Sequence, residues 1–467
     1  MQKPVFPLTV DRGLARPIST QIADAIRAAA VTGVLRQGDR LPSTRDLAGQ
    51  LGVSRTVTAA AYDQLHAEGW LTGRHGSGTY IAATCTTAKP CGREFTPTDA
   101  VASVNVIDLA PGAPCTDSID GAAWRRAWRT AGDRSTSVRP ERAGLPEYGD
   151  AVARHLLLHR GVRVGPTIGR DDRIGIVATG GTTAALAEVA ATVLRPGDAV
   201  AVEEPGYQRA AETLRSAGVR VVPVQADGHG LNPESIPAEV KAVYCAPAHQ
   251  HPLGCRLTAE RRVTLIKRAR DEGWLIIEDD YDGELRHDLT PSPVLAALAP
   301  DIVIHLGSAN KIISPVLGTG WMVASVEVLD AVLAHRRALS VAPAVAGQLV
   351  LTALAETGDL ARHLRRVRRD LSERRRYIVR NLKRGTVSVD GAGMGAHVVL
   401  PLPDDDAEQH VLANAKRGGI LLDGLGRHHA GPPRFSGIVL GYAACTRDQL
   451  SIALPIVDSI VAQVDRR

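Results

Sequence analysis

Short apolar runs that alternate with helix-length segments dominate the chain from residue 174 onward, and this alternation constrains the fold more than any other feature. The runs lie at 174–178, 199–203, 220–224, 242–246, 274–278, 302–306 and 321–324. Continuous apolar runs separated by helical patterns are typical of strands that are buried on both faces of a parallel sheet. The rear part of the chain is therefore predicted to be an α/β domain with a parallel sheet.

Composition and cysteine spacing limit the class of protein further. With 467 residues, 44% hydrophobic and 22% charged, the chain can bury two or three globular cores and is not a disordered tail protein. The longest apolar stretch, 339–355, is interrupted by Ser340, Pro343 and Gln348, so no membrane anchor is expected. The N-terminus lacks the apolar region of a signal peptide, and the six cysteines form no CxxC pair. We therefore expect a cytoplasmic protein without structural zinc or a disulfide framework.

A segment rich in Thr, Ser and Pro divides the chain. Residues 82–105 show neither helical nor strand periodicity, which is typical of a linker. We therefore predict a small front domain over 1–82, a linker over 83–107 and a large rear domain over 108–467. The front domain carries nine Lys/Arg against six Asp/Glu, so positive charge is enriched there.

The front domain has the pattern of a winged helix-turn-helix. Apolar spacing predicts three helices, at 17–31, 44–50 and 55–68. Ser43 and Ser54 are predicted to cap the second and third of them, with Gly52 in the turn between. The GRHGSG segment between two short apolar runs predicts a hairpin, or wing. In this layout the third helix enters a major groove of DNA, although a small capped helical module with a hairpin also occurs in other classes of protein.

A resemblance to a known family supports DNA binding. The segment GDRLPSTRDLAGQLGVSRTVTAAAYDQLHAEGWLTGRHGSGTYI (38–81) resembles the winged helix-turn-helix of GntR-type transcription regulators nearly position for position. The resemblance implies that the protein binds double-stranded operator DNA through its helices and its wing. The implied contact residues are Arg45, Ser54, Arg55, Thr56 and Thr58 in the helices, and Arg74, His75 and Gly76 in the wing.

Polar and glycine residues follow the apolar runs of the rear domain, at the sheet edge where open α/β folds bind ligands. Gly180 and Gly181 open a helix whose backbone N–H groups could hold a phosphate. Tyr207, 279–281 and 308–311 follow other runs and supply aromatic rings, carboxylates and a lysine. Each residue alone is also compatible with a purely structural role, such as a glycine in a turn or a lysine on the surface. Together and in this order they are typical of a pyridoxal 5′-phosphate (PLP) site.

Four motifs carry a second resemblance. They are GLPEYGDAVARHLLLHRGV (144–162), RPGDAVAVEEPGYQRA (195–210), APAHQHPLG (246–254) and IIEDDYDGELRH (276–287). In these motifs the rear domain resembles fold-type I aminotransferases, and the whole chain is similar to the MocR/GabR subfamily of GntR regulators. The resemblance implies a PLP-dependent regulator that forms a domain-swapped homodimer.

The resemblance also implies which residues contact the cofactor ring. Lys311 is the covalent attachment point, Asp279 pairs with the pyridine nitrogen, and Tyr281 with the ring hydroxyl. Tyr207 stacks on the ring.

A further set of residues is implied for the cofactor phosphate and for a small-molecule effector. The phosphate is held by Gly181, Thr182 and Ser308. An effector carboxylate is expected to meet Arg209 and Arg434, because arginine binds carboxylates bidentately.

Four departures from the family pattern bear on the cofactor. Asn310 precedes Lys311 where a serine is usual, and Gly318 stands where an arginine normally binds the phosphate. Arg139 occupies a position where relatives have a tyrosine from the partner subunit, so we expect it to supply the missing charge across the dimer. His251 stands where an aromatic residue or asparagine is commoner, and either packs as an ordinary histidine or contacts the ring.

Three functions remain open from the sequence. The favoured one is a transcription regulator, not an enzyme, that senses an amino compound or PLP itself through its aminotransferase-like domain. The first alternative is an active aminotransferase with an appended DNA-binding module, in which Lys311 transfers the proton. The second is a regulator that has lost PLP binding, and this alternative is supported by Asn310 and Gly318. The arginine-rich run 362–376 is interpreted as a solvated helix face, with a second DNA contact as the alternative.

Overall fold

The computed structural model describes residues 8–74, 78–82, 106–135, 139–165, 174–286, 293–382 and 395–464. The chain divides into two units, a front unit of residues 1–102 and a rear unit of residues 103–467. Most of the predicted linker lies outside the described residues, so the boundaries of the three predicted parts stay predictions.

The front unit contains three helices and a hairpin. They are α1 (Ile18–Val31), α2 (Thr44–Leu51), α3 (Arg55–Ala67), β1 (Leu71–Arg74) and β2 (Gly78–Ile81). The two strands are antiparallel, with Leu71 opposite Ile81. The apolar faces of the helices meet in one core in which Ile22, Leu47 and Leu65 are completely buried. The predicted winged helix-turn-helix is confirmed.

The two predicted helix caps differ in the structure. Ser43 caps α2 as predicted, because its hydroxyl accepts a hydrogen bond from the backbone N–H of Asp46 at 3.1 Å. Ser54 stands at the N-cap position of α3 but makes no capping hydrogen bond, so the prediction of a side-chain cap there is wrong.

The rear unit is a mixed α/β structure. Its helices are α4 (Gly121–Gly132), α5 (Pro146–Arg160), α6 (Thr182–Thr192), α7 (Gln208–Ser216), α8 (Ala259–Glu272), α9 (Leu295–Leu298), α10 (Ala309–Ile312), α11 (Val326–Leu339), α12 (Val345–Glu356), α13 (Asp359–Asn381), α14 (Asp405–Arg417) and α15 (Arg447–Val464). Its strands are β3 (Ile107–Asp108), β4 (Ile174–Thr179), β5 (Ala199–Glu204), β6 (Arg220–Asp227), β7 (Gly230–Leu231), β8 (Ala242–Cys245), β9 (Leu275–Asp280), β10 (Val303–Ser308), β11 (Gly320–Ser325), β12 (His397–Leu402), β13 (Ile420–Leu421), β14 (Asp423–Gly424) and β15 (Ser436–Gly441).

All seven predicted strands lie in one sheet, in the order β4-β11-β10-β9-β8-β5-β6-β7. Strands β10, β9, β8, β5 and β6 are parallel as predicted, but β11 runs antiparallel to both β10 and β4. The prediction of a wholly parallel sheet is therefore wrong at this strand. The connection 309–319 between β10 and β11 holds only two short helical turns and cannot make the crossover that parallel neighbours require.

Both faces of the sheet are buried, which explains the continuous apolar runs. The adjacent residues Ile276 and Ile277 point to opposite faces, and each is completely buried in a different hydrophobic cluster. Strand β4 runs in the same direction as β10, because both are antiparallel to β11. The C-terminal ends of β4, β5, β8, β9 and β10 therefore meet at one edge, where the fold positions its candidate site.

A smaller sheet of order β12-β15-β14 forms the second part of the rear unit, with α14 and α15 packed beside it. The short strand β3 pairs in parallel with β13 and ties the start of the rear unit to this part. None of the helices that the structure describes is both long and apolar enough to cross a membrane. The predicted fold class is confirmed.

Candidate functional site

The start of α3 presents an exposed polar surface. Ser54, Arg55 and Thr56 are exposed there, and Arg45 is exposed on α2. Because Ser54 makes no capping bond, its hydroxyl and the first N–H groups of α3 are available to an anion such as a DNA phosphate. These four residues stay predicted DNA contacts.

Thr58 does not belong to this surface. Its side chain is completely buried, and its hydroxyl donates to the Thr44 carbonyl at 2.8 Å, which ties α3 to α2. The predicted DNA contact from Thr58 is therefore corrected, because a buried and bonded hydroxyl cannot reach a duplex. In the wing, Arg74 ends β1 opposite Gly78. His75 and Gly76 lie outside the described residues.

Asp279 is buried near the end of β9 with one oxygen unpaired. The Tyr244 hydroxyl donates to its Oδ2, whereas Oδ1 has no hydrogen-bond partner among the described residues. Burial raises the pKa of Asp279 to about 7, an effect opposed in part by the hydrogen bond from the Tyr244 hydroxyl. An unpaired buried carboxylate oxygen is costly, and a cationic N–H donor would relieve it.

Lys311 lies on the short helix α10, directly after β10. Its Nζ donates to the carbonyl oxygen of Gly112. Burial, followed by the nearby positive charge of Arg209, lowers the pKa of Lys311. An amine with a lowered pKa is neutral more often and is therefore a better nucleophile toward a carbonyl carbon.

The turn between β4 and α6 forms a small cradle. Gly181 adopts φ +118, which side chains rarely tolerate, and a Cβ there would lie 2.7 Å from Asn310 Nδ2 and 3.3 Å from Ser308 Oγ. Asn310 Nδ2 donates to the Gly180 carbonyl at 3.1 Å, and its Oδ1 accepts from Thr319 N at 3.2 Å. The first N–H groups of α6 have no capping side chain. The cradle therefore offers neutral donors to a phosphate.

The position of the missing arginine is empty space. In the part of the chain that the structure describes, no heavy atom lies within 4 Å of a Cβ built at Gly318, which ends the turn after α10 with φ +53. Space alone therefore does not exclude a larger side chain here, but the left-handed φ favours glycine.

Tyr281 shares a histidine with a carboxylate. His249 Nδ1 lies 2.7 Å from Asp282 Oδ2 and 3.1 Å from the Tyr281 hydroxyl. A neutral imidazole nitrogen either donates or accepts, and a carboxylate accepts, so the proton on Nδ1 is assigned to the bond with Asp282. The hydroxyl proton of Tyr281 is then left for another acceptor in the cleft.

Aromatic rings continue the cleft. The ring centroids of Tyr207 and His251 are 6.0 Å apart, and those of His251 and Tyr281 are 6.5 Å apart, both in edge-on arrangements. Burial lowers the pKa of His251 well below its ordinary value, so the ring is neutral. His251 thus lies between the two residues that were predicted to contact the cofactor ring.

The predicted effector residues lie on the same side of the sheet edge. Arg209 is exposed in the first turn of α7, near enough to Lys311 to affect its pKa. Arg434 donates to the Glu204 carbonyl at 2.7 Å, at the end of β5. Arg139 is exposed in the segment between α4 and α5. The assignments of these three arginines stay predictions.

These residues fit PLP. The unpaired oxygen of Asp279 suits a pyridinium N–H, Lys311 suits a covalent link, and the cradle at Gly181 suits a phosphate. The fit lacks one element, because Gly318 contributes no cation. Among the described residues, no group of three or more His, Cys, Asp or Glu side chains is arranged to hold a metal ion.

The sequence reading missed two partners of the site residues. Tyr244 was not singled out, although a tyrosine in the strand next to β9 and close to its C-terminal end is a usable signal for a partner of Asp279. The Gly112 carbonyl, which accepts from Lys311, lies in a loop and left no trace in the sequence pattern.

Two family models match the chain. The model for bacterial regulatory proteins of the gntR family matches residues 18–81, and the model for aminotransferase class I and II matches residues 104–423. The helices and wing of the front unit and the sheet edge of the rear unit thus fall inside the two matches.

Relatives of similar length share both units. The chain is 33% identical to the HTH-type pyridoxine biosynthesis transcriptional regulator PdxR of Corynebacterium glutamicum, over 98% of this chain and 99% of that protein. It is 31% identical to the probable rhizopine catabolism regulatory protein MocR of Rhizobium meliloti, over 93% of this chain and 92% of that one. The chain belongs to the MocR/PdxR-type GntR regulators, which join a GntR helix-turn-helix to an aminotransferase class I/II domain.

The rear unit also matches solved structures. An archaeal alanine:glyoxylate aminotransferase superposes with a TM-score of 0.70 at 22% identity, covering 77% of this chain and 91% of that one. At this identity the match establishes the fold of the rear unit as that of fold-type I aminotransferases.

Proposed function

We propose that the protein is a bacterial transcription regulator that binds operator DNA through its front unit and binds PLP and a small molecule through its rear unit. One observation carries the sensing part of the proposal: Asp279 keeps a buried oxygen without a partner among the described residues, at the strand ends that also present Lys311. A unit used only for dimerisation would gain stability by pairing or losing that carboxylate.

The residues of the cleft have separate roles in this proposal. When bound, PLP supplies a carbonyl that reacts with amines and an electron-withdrawing ring. Lys311 Nζ would provide the amine for the covalent link and could hold a proton within the cleft. Asp279 Oδ1 would accept from the pyridinium N–H, and the Tyr281 hydroxyl would donate toward the ring oxygen because Asp282 occupies His249 Nδ1.

The regulatory step needs two states with different DNA affinity. With PLP bound, an effector amine would compete with the amine of Lys311, and Arg209 or Arg434 would bind the effector carboxylate. The protein would then make different contacts with and without the effector. A ligand shifts an equilibrium only by such a difference in binding free energy. Because bacterial DNA lies in the cytoplasm, a protein with this function would act there.

The test combines operator selection with ligand addition. The full-length protein selects an operator from a pool of random duplexes, and its affinity is then measured with and without PLP and a panel of amino compounds. The proposal predicts a change in operator affinity that disappears in Lys311→Ala. If neither PLP nor any amino compound changes the affinity of the parent protein, the sensing part of the proposal is wrong.

A homodimer belongs to the proposal, with Arg139 reaching the phosphate of the partner subunit's cofactor. The strongest argument for this role is that Gly318 does not supply the positive charge that an arginine at this position would bring to the phosphate. Replacing Arg139 by alanine should weaken PLP binding without changing the dimer. Unchanged PLP affinity would show that Arg139 does not substitute for the missing arginine.

An active aminotransferase is the second candidate function. The lowered pKa of Lys311 suits a general base as well as a covalent link. Multiple turnovers of keto acid from a panel of amino acids would establish this activity, and a single turnover without recycling would leave the sensor as the sole function.

A further inference from the structure

Seven of the nine arginines in residues 362–380 of the long helix α13 fall into two groups. The segment 362–380 holds nine arginines and two carboxylates, an excess that is larger than the +5 of the whole chain. The inward arginines are bonded: Arg366 donates to the Ser118 carbonyl at 3.2 Å, and Arg368 to the Glu284 carbonyl at 2.6 Å. Arg374 is buried and donates to the Ala443 carbonyl at 2.7 Å. These three residues hold α13 against the rear unit.

The outward arginines form an exposed row. We define the α13 stripe as Arg365, Arg369, Arg376 and Arg380, all exposed. With 3.6 residues per turn, these positions lie within an arc of about 60° around the helix axis. Their ends are about 22 Å apart along the axis at 1.5 Å per residue. The stripe is therefore a straight row of guanidinium groups on one rigid helix.

Most of this charge is not neutralised within the described parts of the chain. Arg365 and Arg380 have no ion pair or hydrogen bond there, and Arg376 donates only to the Ser372 carbonyl at 3.4 Å. Arg369 meets its neighbour Asp370 at 3.2 Å, a surface pair that contributes little. Glu373 is exposed beside the row and is the other carboxylate of the segment.

We propose that the α13 stripe is a second DNA-contacting surface, which binds the phosphate backbone of the duplex next to the operator. A duplex carries a negative charge about every 1.7 Å of its axis, so a length equal to that of the stripe holds roughly a dozen phosphates, and those on the near side face the guanidinium groups. Guanidinium groups bind phosphate oxygens bidentately, which favours arginine over other basic residues. Contacts to phosphate add affinity without reading sequence.

The inference rests on the proposed function, since it needs a protein that binds DNA. The test uses the full-length protein and a duplex that extends about 20 base pairs beyond the selected operator on each side. The stripe variant carries all four arginines as glutamine. A matched control variant carries the same change at four exposed arginines elsewhere on the rear unit, namely Arg195, Arg215, Arg220 and Arg337. Both variants lose four positive charges, so any effect of net charge alone is equal.

The measured quantity is the slope of log affinity against log salt concentration. Each lost phosphate contact lowers this slope by about 0.9, so the stripe variant should lose up to about 3.6 and the control variant nothing. Operator and scrambled duplexes should weaken by the same factor. A variant with four lysines in the stripe keeps the charge and should retain most of the slope, which excludes misfolding as the cause.

Two results overturn the inference. A slope in the stripe variant equal to that of the parent, or an equal loss in the control variant, means that the stripe is a solvated helix face. Either result leaves the proposed function intact if the parent protein binds its operator. A parent protein that binds no duplex at all refutes the proposed function, and the stripe inference fails with it.

Discussion

Replacing Asp279 with asparagine should stabilise the cofactor-free protein by an amount that grows with pH. Burial raises the pKa of this group from 3.8 to about 7, whereas the unfolded chain exposes it with its ordinary value. Between these two values the unfolded state has released a proton that the folded state keeps. The free energy of unfolding therefore falls as the pH rises from about 4 to about 7, and the loss is constant above that.

The magnitude follows from the difference between the two pKa values. At about 1.4 kcal/mol per pH unit, the complete penalty is about 4 kcal/mol, of which about 3 kcal/mol develops between pH 5 and pH 8. Asparagine keeps the shape of the side chain but cannot ionise. The difference in unfolding free energy between variant and parent should thus increase by about 3 kcal/mol over that interval.

The assay is urea unfolding followed by tryptophan fluorescence, since four of the five tryptophans lie in the rear unit. Glu203→Gln is the matched control, because burial also raises the pKa of Glu203 to about 8, with a smaller contribution from the charge of Asp279. Its carboxylate accepts from Ala246 N at 3.1 Å and has no assigned contact with the cofactor. Relative to the parent protein, both variants should become more stable as the pH rises, but only Asp279→Asn should lose PLP affinity. A pH-independent difference between parent and Asp279→Asn would refute the reasoning.

Three further predictions concern the cradle, the missing cation and the DNA surface. Gly318→Arg should strengthen PLP binding by more than about tenfold relative to Gly318→Ala, which shares the backbone strain of φ +53 but adds no charge, as measured by equilibrium titration. Gly181→Ala should weaken PLP binding strongly, because the new Cβ would meet the Asn310 side chain. Gly180→Ala should have a smaller effect, because the atom nearest to its new Cβ is the Cβ of Ala184 at 3.3 Å. Equal losses of PLP affinity in the two variants would contradict this account of the cradle. Thr58→Val should lower the free energy of unfolding of the front unit by about 1–2 kcal/mol and leave the operator preference unchanged. Arg55→Gln should leave that free energy unchanged and reduce operator affinity by about 10-fold or more in anisotropy titrations.

The sequence predicted the strands of the large sheet because each is buried on both faces and reads as a continuous apolar run. It did not predict the reversed direction of β11, since apolar runs carry no information on strand direction. The length of the connection between β10 and β11, which excludes a parallel crossover, is evident only once the ends of both strands are known. It predicted that Lys311 and Asp279 would lie at the ligand-binding edge of the sheet, because both come at the ends of apolar runs. In the structure Asp279 lies within the last two residues of β9, and Lys311 lies on the turn of helix after β10. It could not predict the Gly112 carbonyl beside Lys311, because loop conformation depends on tertiary packing.

The error at Thr58 has a different origin. The helical pattern already indicated burial, because Thr58 is three residues before Ala61 and seven before Leu65, both completely buried on the inner face of α3. The resemblance to the family favoured a DNA contact, but the helical periodicity of this chain correctly indicates that Thr58 is buried. For Ser54, Arg55 and Thr56 the pattern and the resemblance agree, and the structure leaves all three exposed.

The most direct test of the account is the visible absorption spectrum of the purified protein with added PLP, recorded beside that of Lys311→Ala. The account predicts a band of the lysine-linked cofactor in the parent protein that is absent from the variant. No band in either protein would mean that the loss of the arginine at Gly318 has abolished cofactor binding, and it would contradict the assignment of Asp279, Lys311 and the cradle at Gly181 to PLP.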